Sequence, residues 1–153
     1  MNNYFIILAS GQSKRFNSKK PKQFITYKNK ALFEHSLDKA ISSKLFKKII
    51  LVVMNKNLIK KKYGKNVIII KGGKERSDSS LIALKYIKKF KPNNVLIHDA
   101  ARPNFSIELL SKLIISLKKN KASIPVINSK DSIKYKIKNQ LFNLNRNNSF
   151  LTQ

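Results

Sequence analysis

Short apolar runs alternate with amphipathic stretches along most of this chain, and that alternation limits the folds open to it. Tyr4–Ala9, Lys48–Met54, Val67–Ile70, Val95–His98 and Ala122–Ile127 read as strands. Between them, Ala31–Lys44, Asn55–Lys62, Asp78–Phe90 and Ser106–Asn120 read as helices. In the first helix Leu32, Phe33, Ser36, Leu37, Ala40 and Ile41 share one face, and Glu34 near its start suits the helix dipole. Ser77 is placed to cap the third helix, and Pro92 to end it. Strand–helix alternation of this kind predicts an α/β fold, a mostly parallel sheet with helices on both faces. The pattern changes after residue 130. Asp131–Ile137 and Leu141–Leu144 alternate apolar with polar around Lys138-Asn139-Gln140, which predicts a hairpin over 131–146, either an edge hairpin or a projecting arm. The whole of 1–153 reads as one domain. It ends at Gln153 in a stretch that reads as the middle of an element, so a fragment lacking its C-terminal part is expected.

In open α/β sheets ligands bind beyond the strands' carboxyl ends. Three segments fall there. The first is Ser10-Gly11 with Lys14, Arg15, Lys19, Lys20, Pro21, Lys22 and Gln23. Gly11 permits a sharp turn and close approach of backbone N–H groups, and the converging cations suit a polyphosphate. A βα turn followed by a solvated lysine-rich loop would look the same. Neither the GxxxxGK[ST] nor the GxGxxG pattern is present. The second segment, Gly72-Gly-Lys-Glu-Arg-Ser-Asp-Ser-Ser80, is either a Gly-Gly turn into a capped helix or a ligand-facing loop in which Ser79 and Ser80 contribute hydroxyls. In the third, His98-Asp-Ala-Ala-Arg-Pro103, Asp99 directly follows a strand, where a carboxylate could hold Mg²⁺ carried by a nucleotide. Ala100 and Ala101 leave room for a ligand, and Arg102 could bind phosphate or pair with Asp99. His35 and His98, the only histidines, support neither a catalytic triad nor a metal pair.

Composition narrows the partners. The formal net charge is +26, but the lysines are spread along the whole chain. Readers of nucleic acid usually cluster their charge and use arginine and aromatics, so a basic nucleic-acid-binding domain is the runner-up reading. Only four of the 33 basic residues are arginine: Arg15, Arg76, Arg102 and Arg146. Arginine grips phosphate or carboxylate in a planar fork that lysine cannot copy. The chain has no cysteine, no apolar run long enough to span a membrane and no visible signal peptide, which together predict a cytoplasmic protein without membrane partners.

In this order and spacing, LASGxSxRF with PKQ, GGxERxDS and HDAARP resemble the nucleotidyltransferases that make CDP-alcohols. The chain is most similar to the 2-C-methyl-D-erythritol 4-phosphate cytidylyltransferase family of the non-mevalonate isoprenoid pathway. All four arginines fall inside the matching stretch. The resemblance implies a Rossmann-like sheet of the nucleotidyltransferase type. It also implies transfer of a cytidylyl group from CTP to 2-C-methyl-D-erythritol 4-phosphate, Mg²⁺ as cofactor, and a homodimer formed through the hairpin arm. A ribitol 5-phosphate cytidylyltransferase and an inactive nucleotide-binding fragment are the neighbouring alternatives.

Residue by residue, the resemblance implies the following roles. Ala9, Ser10 and Gly11 match the turn around the CTP base and phosphates, although the family usually has Ala at position 10 and Gly at position 13, where this chain has Ser10 and Ser13. Arg15 and Lys22 match the catalytic cations that grip the triphosphate. Gly73 and Ser79 match nucleotide contacts, and Ala100 falls with them. Asp99 matches the acid of the substrate and Mg²⁺ site, and Arg102 a neighbouring substrate residue. Ser132 stands where the family usually has Thr, and Arg146 matches an arm arginine that reaches the substrate of the other subunit. Family members continue with a Thr-Pro-Gln motif and a C-terminal segment that carries a catalytic lysine.

Overall fold

In a computed structural model of the chain, residues 2–13 and 20–152 are described. Their first elements are β1 (Asn3–Ala9), a single 3-10 turn at Lys22–Phe24, β2 (Thr26–Tyr27), β3 (Lys30–Ala31), α1 (Leu32–Ser42) and β4 (Lys48–Val53). There follow β5 (Val67–Lys71), α2 (Arg76–Lys88), β6 (Asn94–Asp99), α3 (Ile107–Ser116) and β7 (Val126–Asn128). The last are β8 (Lys134–Ile137), β9 (Gln140–Asn143) and β10 (Phe150–Thr152). The chain divides into two compact units, Met1–Glu108 and Leu109–Gln153.

The first unit is built on a four-stranded sheet in the order β5-β4-β1-β6, with every pair parallel. Continuous apolar runs, rather than alternating ones, are what a strand covered on both faces requires. All seven residues of β1 are buried. One face presents Tyr4, Ile6, Leu8, Ile50, Val52 and Ile70 to Ala83 and Ile87 of α2. On the other, the Phe5 ring lies 4.8 Å from Phe46 and 6.2 Å from Phe105. Phe33, Leu37 and Ala40 of α1 are also buried, and Ser36 of that helix meets His98 of β6. The sheet is therefore covered by helices on both faces, as the alternation predicts. Each fully buried Ile or Leu contributes about 1.5–3 kcal/mol, so the doubly covered strands β1 and β4 dominate the stability of this unit.

Chain order and sheet order together place the site. β1 and β6 are neighbours, but β1 leads to β4 through α1 on one face, whereas β6 is reached from β5 through α2 on the other, so the strand order reverses between them. That is a topological switch point, where a crevice opens beyond the strand ends. Because the strands are parallel, Ala9, Val53, Lys71 and Asp99 end on one rim. The Leu8–Asp99 register and the Ala100 N–H donated to the Leu8 carbonyl (3.0 Å) bring the first and third loops side by side.

Four expectations change. The run 55–62 forms only a 3-10 turn at Lys56–Leu58, since its polar and lysine-rich sequence has no apolar face to bury. α2 starts at Arg76, with Glu75 as N-cap instead of Ser77; the Asp78 carboxylate reaches back to accept the Glu75 N–H at 3.1 Å. The fifth strand is shorter and belongs elsewhere: β7 pairs antiparallel with β10 in the second unit. Pro125 supplies no N–H and restricts Ile124 before it, so pairing begins only at Val126. Finally, the left-handed turn of the opening loop is at Ser13 (φ 52°), not at Gly11; no glycine takes positive φ among the described residues. The second unit also contains the expected hairpin, β8 paired with β9 around Lys138 (φ 52°).

Candidate active site

The opening loop is fastened by one side chain. Gln23 is only 5% exposed. Its amide Nε2 donates to the Ala9 carbonyl at 2.8 Å and to the Gly11 carbonyl at 2.6 Å. Ser13 Oγ accepts the Lys22 N–H at 2.9 Å and lies 3.4 Å from Gln23 Oε1. Ala9, Ser10 and Gly11 are thus held against Lys22, whose side chain is exposed. No described atom lies within 4 Å of a Cβ added at Gly11. Arg15, expected to act with Lys22, lies outside the described residues.

The second loop packs against the first. Ser79 is fully buried, and its hydroxyl lies 2.7 Å from that of Ser10. Ser79 Oγ also accepts the Gly73 N–H at 3.1 Å and donates to the Glu75 carbonyl at 3.0 Å. Both glycines are sterically required. A Cβ on Gly72 would lie 2.7 Å from Ser10 Cβ and from Ser79 Oγ, and one on Gly73 would lie 2.3 Å from Asp78 Cβ.

The third loop carries the charge. Asp99, at the end of β6, is bound by two arginines, Arg76 at the start of α2 and Arg102 of its own loop. Arg76 Nε donates to its Oδ1 at 2.9 Å, and Arg102 Nε stands 3.7 Å from its Oδ2. Two guanidiniums around one carboxylate leave a net positive group on the rim, with both arginine side chains more than half exposed. Such a group attracts a phosphorylated ligand. Ala100 is buried beside it.

The loop is supported from below by α1. Lys39 Nζ donates to the carbonyls of Pro103 and Phe105 at 2.7 and 2.8 Å, and lies 5.2 Å from the centre of the Phe105 ring. His98 lies between Phe5 and Phe105, with centroids at 5.8 and 4.6 Å, and its Nε2 is 3.3 Å from Ser36 Oγ. Burial lowers the His98 imidazole to about 4, despite the opposing pull of Asp99. His98 is therefore a neutral packing residue near neutral pH.

Ser132 and Arg146 lie in the second unit. Leu144 donates its N–H to the Ile133 carbonyl at 2.8 Å, just inside them, so both stand at the open end of the hairpin. Arg146 lines a cleft of about 400 Å³ with Asn128, Ser129, Lys130 and Asn147.

In the first unit, then, the expected residues Ala9, Ser10, Gly11, Lys22, Gly73, Ser79, Asp99, Ala100 and Arg102 are gathered on one rim or immediately behind it. Gln23 stood in the opening stretch and its PKQ motif but was given no role from sequence, and Lys39 was not singled out, because a buried amide and a half-buried lysine leave no periodic signal. Arg76 had one, as an arginine retained in a lysine-rich chain. Among the described residues no group of three or more His, Asp or Glu side chains could hold a metal ion, and no helix is long and apolar enough to cross a membrane.

The chain is similar to known proteins in sequence and in fold. The chain is 54% identical over 155 residues to the bifunctional enzyme IspD/IspF of Pelagibacter ubique, covering all of this chain and 42% of that protein. It is 35% identical to the 2-C-methyl-D-erythritol 4-phosphate cytidylyltransferase of Thermosipho melanesiensis, over 87% of this chain and 62% of the relative. Among solved structures, 4-diphosphocytidyl-2C-methyl-D-erythritol synthase from Anaerococcus prevotii superposes with a TM-score of 0.84 at 30% identity, over 99% of this chain and 68% of its own. The bifunctional IspDF of Campylobacter jejuni gives 0.83 at 32% identity, over 100% and 39%. The chain thus spans between about two fifths and two thirds of the length of these relatives. The family profile described as IspD, 2-C-methyl-D-erythritol 4-phosphate cytidylyltransferase, matches residues 4–149, and the chain belongs to that family.

Proposed function

We propose that this chain carries the nucleotide-binding part of a cytidylyltransferase that transfers the cytidylyl group of CTP to 2-C-methyl-D-erythritol 4-phosphate, giving CDP-methylerythritol and pyrophosphate. The observation that carries this reading is Asp99 held between Arg76 and Arg102, beside the fastened opening loop at the switch point. The acceptor is a phosphate monoester, mostly dianionic near pH 7 because its second pKa is about 6. One of its oxygens attacks the α-phosphorus of CTP in line. A P–O bond forms, the α–β bridge bond breaks, and pyrophosphate leaves with the bonding pair. No proton has to be removed from the nucleophile, so a neutral, half-buried His98 is no obstacle. The difficulty is repulsion between two anions, and cations remove it. In this reading Arg15 and Lys22 face the triphosphate, while Arg102 binds the acceptor. Ser132 and Arg146 of a second copy complete the acceptor site. Exposed Ile137, Leu141 and Phe142 on the hairpin support a homodimer through that arm.

Asp99 is the residue that would hold Mg²⁺. One carboxylate suffices when the triphosphate supplies further oxygens, and Asp99 Oδ2 carries only the longer of its two ion pairs. When bound, the ion neutralises phosphate charge. The cysteine-free composition supports a reducing, cytoplasmic setting.

Thermal unfolding with Mg²⁺ and each of CTP, UTP, ATP and GTP tests the reading. A ligand at a hundred times its dissociation constant adds about 2.7 kcal/mol of stability. Selective stabilisation by CTP is expected, followed by pyrophosphate release with methylerythritol phosphate and not with ribitol 5-phosphate. An equal response to all four nucleotides would overturn it.

A further inference from the structure

The exit of β1 and the Lys22-Gln23 pair are joined by side-chain hydrogen bonds. The Gln23 amide spans the gap, bonding both the Ala9 and Gly11 carbonyls from a position that is almost wholly buried. Ser13 closes the other side, because its Oγ accepts the Lys22 N–H at 2.9 Å. The Ser13 backbone is left-handed there (φ 52°), a conformation that costs a non-glycine residue about 1–2 kcal/mol. A strained serine whose hydroxyl is engaged across the loop is better explained by what it holds than by its own comfort.

From this geometry we infer that Gln23 and Ser13 are positioning residues, a two-sided latch that sets where Lys22 and the exit of β1 stand relative to the phosphates of the nucleotide. The inference rests on the proposed cytidylyl transfer for the identity of the ligand, but the latch itself is a property of the described residues. Neither side chain has to touch the nucleotide. Gln23 uses both amide hydrogens on the carbonyls of the opening turn, and Ser13 uses its acceptor on Lys22. The latch acts at the phosphate end of the site. The Ser10–Ser79 contact and the Gly72-Gly73 segment are held by their own bonds.

The test compares CTP with CMP, the same base and ribose with and without the terminal phosphates. Binding of each to the 153-residue chain with Mg²⁺ is measured by calorimetry for the parent, Gln23→Met and Ser13→Ala. Gln23→Met keeps the volume and removes the donors; Ser13→Ala removes only the hydroxyl. The expected result is a drop of about tenfold in the CTP-over-CMP preference for Gln23→Met and a smaller drop for Ser13→Ala, whatever happens to the melting temperature. A residue that served stability alone would weaken both nucleotides together or neither. Exchange of the Lys22 amide hydrogen is followed in the same samples and should accelerate in both variants. A parent that prefers CTP, with variants that keep the full preference, overturns the latch and leaves the cytidylyl reading standing. A parent that does not distinguish CTP from CMP overturns the cytidylyl reading. Lys22 exchange then decides the latch alone: acceleration in both variants supports it, and unchanged exchange overturns it.

Discussion

Ser10 and Ser79, 69 positions apart, place their hydroxyl oxygens 2.7 Å from each other in the buried junction of two loops. Ser79 is the better satisfied partner, with Gly73 and Glu75 also bonded to it. Ser79→Ala should therefore cost more than Ser10→Ala. A net loss of about 1 kcal/mol is expected for Ser10→Ala, and roughly 2–3 kcal/mol for Ser79→Ala, which strands the Gly73 N–H. Urea unfolding of the two variants measures the order. The reverse order would mean that the bond to Ser10 outweighs the other two.

Gly72 lies against the same pair. Its missing Cβ would sit 2.7 Å from two atoms of Ser10 and Ser79, neither of them the far end of a flexible chain. Gly72→Ala should destabilise by about 1–3 kcal/mol, as over-packed sites do. Gly11→Ala should have a much smaller effect, since no described atom comes within 4 Å of the added Cβ. Melting temperatures of the two single variants separate the cases.

Burial holds His98 neutral, which makes folding depend on pH. The imidazole is lowered to about 4 in the folded chain, against about 6.5 when unfolded. Between these values the unfolded chain binds the extra proton, so stability falls as pH falls. The contribution is complete above about 6.5, declines on the way to about 4, and reaches at most about 3 kcal/mol. Unfolding measured from pH 7.5 to 4 should show this slope, and His98→Phe should remove most of it. An unchanged slope in that variant would assign the dependence to the carboxylates.

Lys39 joins α1 to the loop that carries Arg102. Its ammonium holds two carbonyls, of Pro103 and Phe105. Lys39→Met keeps the stem and loses both bonds, and should cost about 1–3 kcal/mol. Lys39→Arg should recover little, because a planar fork does not reproduce a point donor. Chemical denaturation of both variants checks the prediction.

Asp99→Asn should lose most of the Mg²⁺-dependent part of stabilisation by CTP while changing stability without ligand by less than about 1 kcal/mol, since the ion pairs are exposed. Melting curves with and without Mg²⁺ and CTP give both quantities. Full Mg²⁺ dependence in the variant would remove Asp99 from the metal's contacts.

The parallel sheet was legible because burial on both faces writes itself as unbroken apolar runs, such as Ile49–Val53. The rim was legible because switch points follow from strand order, and because Arg76 and Arg102 stand out in a lysine-rich chain. What stayed hidden depends on a partner distant in sequence. Ala122–Ile127 looked like a further parallel strand, since a short apolar run does not say which edge it will join; Pro125 was the available warning. The small hairpin of β2 and β3 was also missed. Its turn residues Lys28 and Asn29 both take positive φ, and only Asn29 advertises that. Gln23 was visible as the end of the PKQ motif, but its role was not, because that role comes from two carbonyls that the fold delivers to it.

Strand β6 pairs with β1 on one side only among the described residues, and Ile97 on it is 40% exposed. An edge strand with exposed apolar side chains invites pairing between molecules. A net charge of +26 opposes that approach, because every copy repels every other before their edges can meet. The repulsion reaches only about 8 Å at physiological salt and less above it. The lysines dispersed away from the rim then act as a colloidal stabiliser, and the chain's tendency to self-associate becomes a function of ionic strength.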